Sequence, residues 1–582
     1  MVESSRLDEL RGKWQKRSPE TPDDIVECLH VFDTLKEVAR RTPATYHRCW
    51  KLSQEAIKLG LMTPLARQFT RDTAKRSGIE KVRSGRLQSS ASAQRPLPAK
   101  GKVNRYIFSC VQNNTSLHKP LFDNIKALLA HFSKQANADK VELHIARITY
   151  VHKGLGDVGN KDYVVGRKSH SGNLYDEKLT YPPECVKYFS DERVLIAPGL
   201  QFCGEVNILP TAERPLSGFE SYTGRKSGIF PHTKVAVDSI ASMPDEGTKF
   251  NYTTGALTVR NYIARKAGLK AEFHHCYGGL LVEVNSEGDW WCRQLVSDSD
   301  GTLYDIDVKV QDGKVVSGKF IDTVIWGDVH VAIGDPDVFN LCWGSGKESL
   351  LDRLRPKRQI VHDVLDFHSR SHHEIKNPMK MFQRFIEGED NVQEEVVGVK
   401  KFLGDAERDW CETIVVNSNH DRHLGRWLNS EDARFDFVNV EFWSRLWVRC
   451  TRIIRDRGQP NFLKIALEEV GYAGKATILD QDQSFVVCAD ETGGIECGLH
   501  GDDGPNGTRG SPGAFARMGR KMVTAHTHRA GIVDGVYTVG TSSVLRPDYV
   551  AGPGAWSHTL CLVYENGKRT LMTIWENKER AR

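Results

Sequence analysis

The 582-residue chain is long enough for several domains, and its contents of 39% hydrophobic and 27% charged residues are ordinary for a globular protein. Its sequence contains no stretch with the apolar length of a membrane span, and residues 1–9 (MVESSRLDE) lack the basic and apolar regions of a signal peptide. The 13 cysteines are scattered without a C-x-x-C pair, which predicts reduced thiols and a cytoplasmic location. The net charge of +5 excludes little, so the distribution of charge carries more information.

The N-terminal part reads as helical. A first helix is predicted to open at Pro22, and residues 34–41 and 44–59 have apolar residues at helical spacing on either side of Thr42-Pro43. A short helix, a break and a second helix with basic residues match the outline of a helix-turn-helix, although a helical protein-contact domain explains the pattern equally well. We therefore predict a small helical domain over residues 1–83.

A strongly basic stretch follows this domain. Residues 67–105 carry 11 Lys and Arg side chains against two acidic ones, and residues 84–102 have the composition of a flexible basic linker. Such runs are commonly only a solvated face, but beside a helix-turn-helix they favour contact with a phosphate backbone. The predicted nucleic-acid contacts are Arg40, Arg41, Arg48, Lys51, Arg67 and Arg71.

Residues 103–318 are predicted to form a mixed α+β middle domain of unknown role. A strand over 105–111, a helix over 123–135 and a strand over 140–150 give a β-α-β start. Antiparallel strands are predicted further on, over 279–284, 290–296, 303–310 and 314–319.

Beyond residue 319, five apolar runs each end in polar groups. The first is a buried strand that stops at Asp328-x-His330, where residues i and i+2 point the same way and can share one target. A carboxylate and an imidazole aimed at one point suit a divalent metal of the Mn, Fe or Zn kind. The other four runs end at His362-Asp363-x-x-Asp366, Asn419-His420-Asp421, His500-Gly501-Asp502 and His526-x-His528.

These five motifs, in this order, resemble the calcineurin-like metallophosphoesterase family, whose pattern is D-x-H, G-D-x-x-D, G-N-H-D/E, a lone H and G-H-x-H. His362, Ser418 and Ala525 stand where the family has Gly, at backbone-shaping positions. The resemblance implies an α/β fold, with a metallophosphoesterase β-sandwich flanked by helices over 319–582.

The resemblance also implies a centre of two divalent ions, with Mn²⁺ favoured and Mg²⁺, Fe or Zn as alternatives. Asp363 aligns best with the bridging ligand, and Asp366 is the alternative. A hydroxide bridging the two ions attacks phosphorus, His420 assists the leaving oxygen, and Asp421 fixes the His420 ring. The implied metal ligands are Asp328, His330, Asp363, Asn419, His500, His526 and His528.

Three further side chains lie in polar loops next to these motifs. His368 and Arg370 follow the proposed bridging residue, and Arg509 lies in a Gly-rich loop after His500. They are candidates for binding substrate phosphates, and the alternative is loop polarity without contact to substrate.

The plan of the chain is similar to the nuclease branch of the family, including the double-strand-break-repair exonucleases, and to bacteriophage-encoded DNA-metabolism proteins. We therefore predict a metal-dependent nuclease with DNA favoured over RNA as its partner. The alternatives are a phosphomonoesterase or protein phosphatase with the same centre, and a DNA-binding protein with an inactive phosphoesterase domain. The sequence leaves the oligomeric state open, including a dimer.

Overall fold

The computed structural model describes residues 93–150 and 180–581, apart from 245, 346–347, 492, 548–549 and 576, together with scattered residues between 10 and 59. The chain divides into two compact units, one of residues 1–91 with 168–174 and one of residues 92–167 with 175–582. In the first unit, helix α1 (Pro22–Phe32) begins where it was predicted, and its Ile25 and Cys28 pack against Trp14 in a buried cluster.

The second unit contains 24 strands among its described residues. They are β1 (Ala93–Gln94), β2 (Val103–Gln112), β3 (Ala138–Ile148), β4 (Arg193–Ala197), β5 (Leu200–Cys203), β6 (Ser227–Phe230), β7 (Val237–Ile240), β8 (Lys249–Thr253), β9 (Gly278–Val284), β10 (Trp290–Val296), β11 (Leu303–Asp305), β12 (Val308–Gln311), β13 (Lys314–Ser317), β14 (Ile321–Ile325), β15 (Arg358–His362), β16 (Glu412–Val416), β17 (Thr477–Ile478), β18 (Val486–Val487), β19 (Ile495–Glu496), β20 (Lys521–Thr524), β21 (Gly531–Val533), β22 (Val536–Thr538), β23 (Thr559–Tyr564) and β24 (Arg569–Thr573).

The helices of this unit are concentrated after β14. They are α2 (Lys119–Ser133), α3 (Lys266–His274), α4 (Pro336–Trp343), α5 (Leu350–Leu354), α6 (Pro378–Glu387), α7 (Val392–Ala406), α8 (Asp421–Ser430), α9 (Val440–Arg455), α10 (Phe462–Glu469) and α11 (Pro512–Ala516).

Two large sheets form the framework of the unit. The first has six strands in the order β17-β16-β15-β14-β23-β24, with β14, β15 and β16 mutually parallel. The second has eleven strands in the order β1-β4-β5-β6-β8-β7-β21-β22-β20-β19-β18. Smaller sheets of four strands (β10-β9-β2-β3) and three strands (β11-β12-β13) complete the described part.

The six-stranded sheet lies between helices on one side and the eleven-stranded sheet on the other. Ile325 and Ile360 point into a core that they share with Val523 of the second sheet. Their neighbours Val324 and Val361 point to the opposite face and pack in a core with residues of α7 and α8. This alternation follows from the two-residue period of a strand. The mixed α/β class predicted from the sequence is confirmed.

The strand pairings cross the predicted domain boundary at 318/319. β7, from the predicted middle domain, pairs with β21 through Val237 and Ile532, and both belong to the same compact unit. The predicted linker 84–102 also overlaps a strand, because β1 pairs in parallel with β4. These contacts join segments far apart in sequence, so local composition gave no sign of them.

The predicted strand 303–310 is wrong in detail. It forms a hairpin of β11 and β12, because Ile306 adopts a left-handed φ of 52° that turns the chain between them. No helix in the described ranges is both long and apolar enough to cross a membrane.

Candidate metal centre

Parallel pairing brings the first three motifs to one edge of the six-stranded sheet. Asp328 follows β14, Asp363 follows β15 and Asn419 follows β16, so their side chains leave adjacent carboxyl ends. Backbone hydrogen bonds hold these ends in register, with the amide of His330 donating to the Asp363 carbonyl at 2.8 Å. The structure therefore brings the first three motifs together at adjacent strand ends.

The eleven-stranded sheet supplies the remaining two motifs. β19 and β20 are parallel, with His500 following β19 and His526 and His528 following β20. The amide of Ala525 donates to the His500 carbonyl at 2.7 Å, which ties the two segments together just before the histidines of the second.

Four of these residues have strained backbones. His330, Asp363, His526 and His528 have φ values of 45°, 51°, 69° and 55°. Non-glycine residues are uncommon in this left-handed region, and such strain tends to collect at functional sites, where the surrounding structure enforces it. At Gly327, just before Asp328, a Cβ atom would lie 2.7 Å from the Thr541 backbone. Only glycine therefore allows the two backbone segments to lie this close together.

One group of buried ligand atoms surrounds His330. Its Nε2 lies 3.1 Å from Nε2 of His528 and 3.5 Å from Oδ2 of Asp363, and Nε2 of His528 lies 2.9 Å from Oδ2 of Asp328. Ligand atoms bound to one ion at about 2.0–2.2 Å stand roughly 3 Å apart, which is the spacing found here. This group could hold a metal ion.

A second group of donor atoms surrounds Asn419. Its Oδ1 lies 2.9 Å from Nε2 of His500 and 3.1 Å from Nδ1 of His526. Nε2 of His500 also lies 3.4 Å from Oδ2 of Asp363. The same Asp363 oxygen therefore contacts both groups, which is the position expected of a bridging ligand.

Several buried polar atoms of the two groups have no hydrogen-bond partner. Neither oxygen of Asp328 has a partner in hydrogen-bond geometry, and Nδ1 atoms of His500 and His528 are likewise buried without one. Burial of an unpaired carboxylate is costly, and a bound cation would offset that cost. The chemistry of these donors thus fits a metal ion.

Neighbouring carboxylates and imidazoles shift the pKa values of Asp328 and His330. Burial by itself raises the pKa of Asp328, but the positive potential of His500 and His528 outweighs it and lowers the pKa to about 2. Burial lowers the pKa of His330, but Asp363 and Asp366 outweigh it and raise the pKa to about 9. Asp328 and His330 are therefore both held in their charged forms, whereas burial lowers the pKa of His526 and His528.

Asp366 lies behind the centre rather than between its two groups. Its Oδ1 lies 2.9 Å from Nδ1 of His330, on the side of the ring opposite the Nε2 that faces Asp363. A carboxylate in this position fixes the ring orientation and makes a ligating imidazole more basic. The structure thus places Asp363, and not Asp366, at the junction.

His420 lies beside the centre with its side chain 29% exposed. Its Nδ1 lies 2.9 Å from the main-chain oxygen of Asp366, and its backbone amide donates to Oδ1 of Asp363 at 3.2 Å. The Asp366 carbonyl thus orients the ring of this partly exposed side chain.

Asp421 does not orient the His420 ring, contrary to expectation. Its two oxygens accept hydrogen bonds from the amides of Leu365 and Ser418, at 3.0 and 3.1 Å, and it therefore joins the loops after β15 and β16. Burial and the nearby Asp363 carboxylate raise the pKa of Asp421 to about 7. Ser418 has its own role, since its hydroxyl accepts from the Asp363 amide at 2.8 Å.

The three residues predicted to contact substrate lie in different environments. His368 lies near Asp366, with Nδ1 3.9 Å from Oδ2. Arg370 is buried and forms a bidentate pair with Asp436 at 2.6 and 2.8 Å, so it is committed to the loop and unavailable to substrate. Arg509 is exposed in the loop after His500.

The predicted nucleic-acid contacts belong to the other unit. Arg48 and Lys51 are exposed on helical turns. Arg40, Arg41, Arg67 and Arg71 lie outside the described residues, as does most of the predicted helix-turn-helix.

Sequence reasoning missed the supporting residues of the site. The D-x-x-D spacing singled out Asp366, but only as an alternative to Asp363 as the bridging ligand. Its contact with His330 was not predicted. His362 is fully buried, and neither of its ring nitrogens has a hydrogen-bond partner. Its only signal was that the metallophosphoesterase pattern has Gly at this position.

Fold and site together define a mixed α/β protein in which two sheet edges enclose Asp and His side chains that could hold a metal ion. Over 485 residues, the chain is 34% identical to "Protein A1" of Escherichia phage T5, and the alignment covers 81% of this chain and 82% of that protein. The chain therefore belongs to the family of this phage protein, which supports the predicted phage origin. No protein-family model matches the chain, and no solved structure matches it significantly.

Proposed function

We propose that the protein is a metal-dependent nuclease that hydrolyses phosphodiester bonds of DNA at a centre of two divalent ions. The observation that carries this proposal is the position of Asp363, whose Oδ2 lies 3.5 Å from Nε2 of His330 and 3.4 Å from Nε2 of His500. A carboxylate shared by two ligand groups suits a pair of ions acting on one phosphate.

The two groups divide the ligands between the ions. Asp328, His330 and His528 would hold one ion, and Asn419, His500 and His526 would hold the other, with Asp363 near both groups. Mixed nitrogen and oxygen ligands favour Mn²⁺, with Mg²⁺, Fe and Zn as alternatives. When bound, the ions activate the nucleophile and neutralise charge at phosphorus.

His420 is the general acid in this proposal. Its side chain is partly exposed beside the buried ligands, and the Asp366 carbonyl holds the ring through Nδ1, which leaves Nε2 for the leaving oxygen. A positioned imidazole can protonate an alkoxide leaving group near neutral pH.

The choice of DNA as substrate rests on the basic stretch over 67–105 and on membership of a phage protein family. Cationic side chains gain affinity for a phosphate backbone by releasing its counterions. With this family membership, we also propose that the protein acts in the cytoplasm of the infected host.

The test is hydrolysis of end-labelled single-stranded and double-stranded DNA, of RNA and of p-nitrophenyl phosphate, each with Mn²⁺ and after chelation. We expect DNA cleavage that chelation abolishes and Mn²⁺ restores, and that the Asp328→Ala/His528→Ala variant lacks. Preference for p-nitrophenyl phosphate over every nucleic acid would instead indicate a phosphomonoesterase. DNA binding without any hydrolysis would indicate a binding protein with an inactive centre.

A further inference from the structure

Three histidines outside the candidate centre form a separate group, which we name the trihistidine cluster: His372, His373 and His423. One ring nitrogen from each lies within 4.8 Å of those of the other two. The ring centroids of His372 and His373 are 3.8 Å apart, and those of His372 and His423 are 4.4 Å apart. No residue of the cluster belongs to the motifs that built the candidate centre.

The cluster is held by elements that fix its members. His423 lies in the first turn of α8 and is only 5% exposed, and its buried Nδ1 has no hydrogen-bond partner. His372 and His373 lie on the loop between β15 and α6, where both are exposed. The buried ion pair of Arg370 and Asp436 anchors this loop just before the two histidines. The position of His423 is therefore fixed by its helix, and the exposed His372 and His373 contact it from the solvent side.

We propose that the trihistidine cluster is a further metal site, which binds a late first-row divalent ion such as Zn²⁺. Three converging imidazoles suit Zn²⁺, Co²⁺ or Ni²⁺ better than Mg²⁺ or Ca²⁺, which prefer oxygen ligands. Three protein ligands leave one position of a tetrahedral ion open for water or an anion. Such an ion lies near the proposed general acid, since the rings of His423 and His420 are 4.9 Å apart.

Arg426 competes with the ion in this arrangement. Its Nη1 lies 3.3 Å from Nε2 of His372, and because a guanidinium can only donate, it occupies the lone pair of that nitrogen. The Arg426 side chain is exposed and can swing away when an ion binds. Removal of Arg426 should therefore strengthen metal binding, whereas in a phosphate-binding patch its removal would weaken anion binding.

The test counts ions on the full-length protein after metal removal. Wild type, the His372→Ala/His373→Ala variant and a His131→Ala/His274→Ala control are dialysed against Zn²⁺, and bound zinc is measured per chain. The control removes two histidines that belong to none of the candidate clusters in the described residues. We expect the cluster variant to bind one ion fewer than wild type and the control to bind the same number as wild type.

This result does not depend on the proposed nuclease centre, because it is a difference between two chains that share that centre. With Co²⁺, we expect the visible absorption per chain to be smaller in the cluster variant than in wild type and the control. Arg426→Ala should bind Zn²⁺ several-fold more tightly at the trihistidine cluster. Equal zinc counts in wild type and cluster variant would overturn the proposal. So would weaker zinc binding by Arg426→Ala, or equal loss in the control.

Discussion

Nδ1 of His420 lies 2.9 Å from the main-chain oxygen of Asp366, while the carboxylate of the adjacent Asp421 is occupied by two backbone amides. The group that orients the proposed general acid is therefore a carbonyl of the neighbouring loop. A carbonyl accepts a hydrogen bond but does not bind a proton near neutral pH, so it fixes the Nδ1–H tautomer of the ring.

His420 is expected to act on the leaving oxygen without holding metal. In His420→Ala and His420→Asn, turnover of DNA should fall by ~10²–10⁴-fold, the usual contribution of a general acid, while metal content and DNA affinity remain close to wild type. The loss should be smaller for a p-nitrophenyl diester, because its leaving group needs little protonation. An equal loss for good and poor leaving groups would mean that His420 positions substrate, and loss of metal would make it a ligand.

Asp363 and Asp366 should differ in their effects on metal binding. Asp363→Asn removes the charge shared by the two ligand groups and should lower both metal content and turnover. Asp366→Asn keeps every proposed ligand but weakens the support of His330, so metal affinity should fall by ~10–100-fold and saturating metal should restore occupancy. Metal titrations of the two variants separate these outcomes. Normal occupancy in Asp363→Asn, with loss in Asp366→Asn, would reverse the assignment.

Arg370 should contribute to stability through Asp436. Both side chains are largely buried, at 8% and 18% exposure, so Arg370→Ala leaves a buried carboxylate without its partner. We expect a loss of about 3–5 kcal/mol in the free energy of unfolding, measured by urea denaturation of the metal-free protein. Arg509→Ala is the matched control, since Arg509 is exposed, and it should change stability little. Equal stability of the two variants would contradict this structural role and would make Arg370 a candidate for substrate binding again.

The pKa of Glu395 predicts a pH dependence of stability. Burial raises this pKa from 4.5 to about 7, although Ser369 donates to the carboxylate through its amide and hydroxyl. Since the folded-state pKa is the higher one, Glu395 contributes stability that is complete below pH 4.5 and lost as the pH rises through about 7.

Glu395→Gln should therefore show a smaller fall in unfolding temperature between pH 5 and pH 8 than wild type, in metal-free protein followed by differential scanning fluorimetry. Glu394→Gln, at the exposed neighbouring position, should behave as wild type. Identical pH profiles for wild type and Glu395→Gln would show that the carboxyl is not responsible.

The N-terminal unit should govern affinity for nucleic acid and not the chemistry. Deletion of residues 1–91 ends before β1 and so keeps its pairing with β4. The truncated protein should bind DNA more weakly and with a flatter dependence on salt, since fewer counterions are released. Hydrolysis of a small aryl phosphodiester serves as the control and should persist. An unchanged salt slope would show that the deleted cations form only a solvated surface.

The strands that precede the candidate metal ligands could be predicted from the sequence. The apolar, β-branched run before Asp328 predicts a buried strand, and β14 is found at 321–325. The resemblance of the five motifs to the metallophosphoesterase pattern implied seven candidate ligands, and the structure brings all seven together. Local information suffices here because the seven ligands lie in the short segments that follow five strands.

Only the tertiary structure decided which side chains support these ligands. Asp366 contacts His330, and Asp421 joins Leu365 to Ser418, because neighbouring parallel strands place their following loops side by side. The pairing of β7 with β21 joins residues 237 and 532, which share no local pattern. The sequence alone determines which residues have the chemistry to bind a metal. Their partners depend on strand order and backbone turns, which are set by packing over the whole unit.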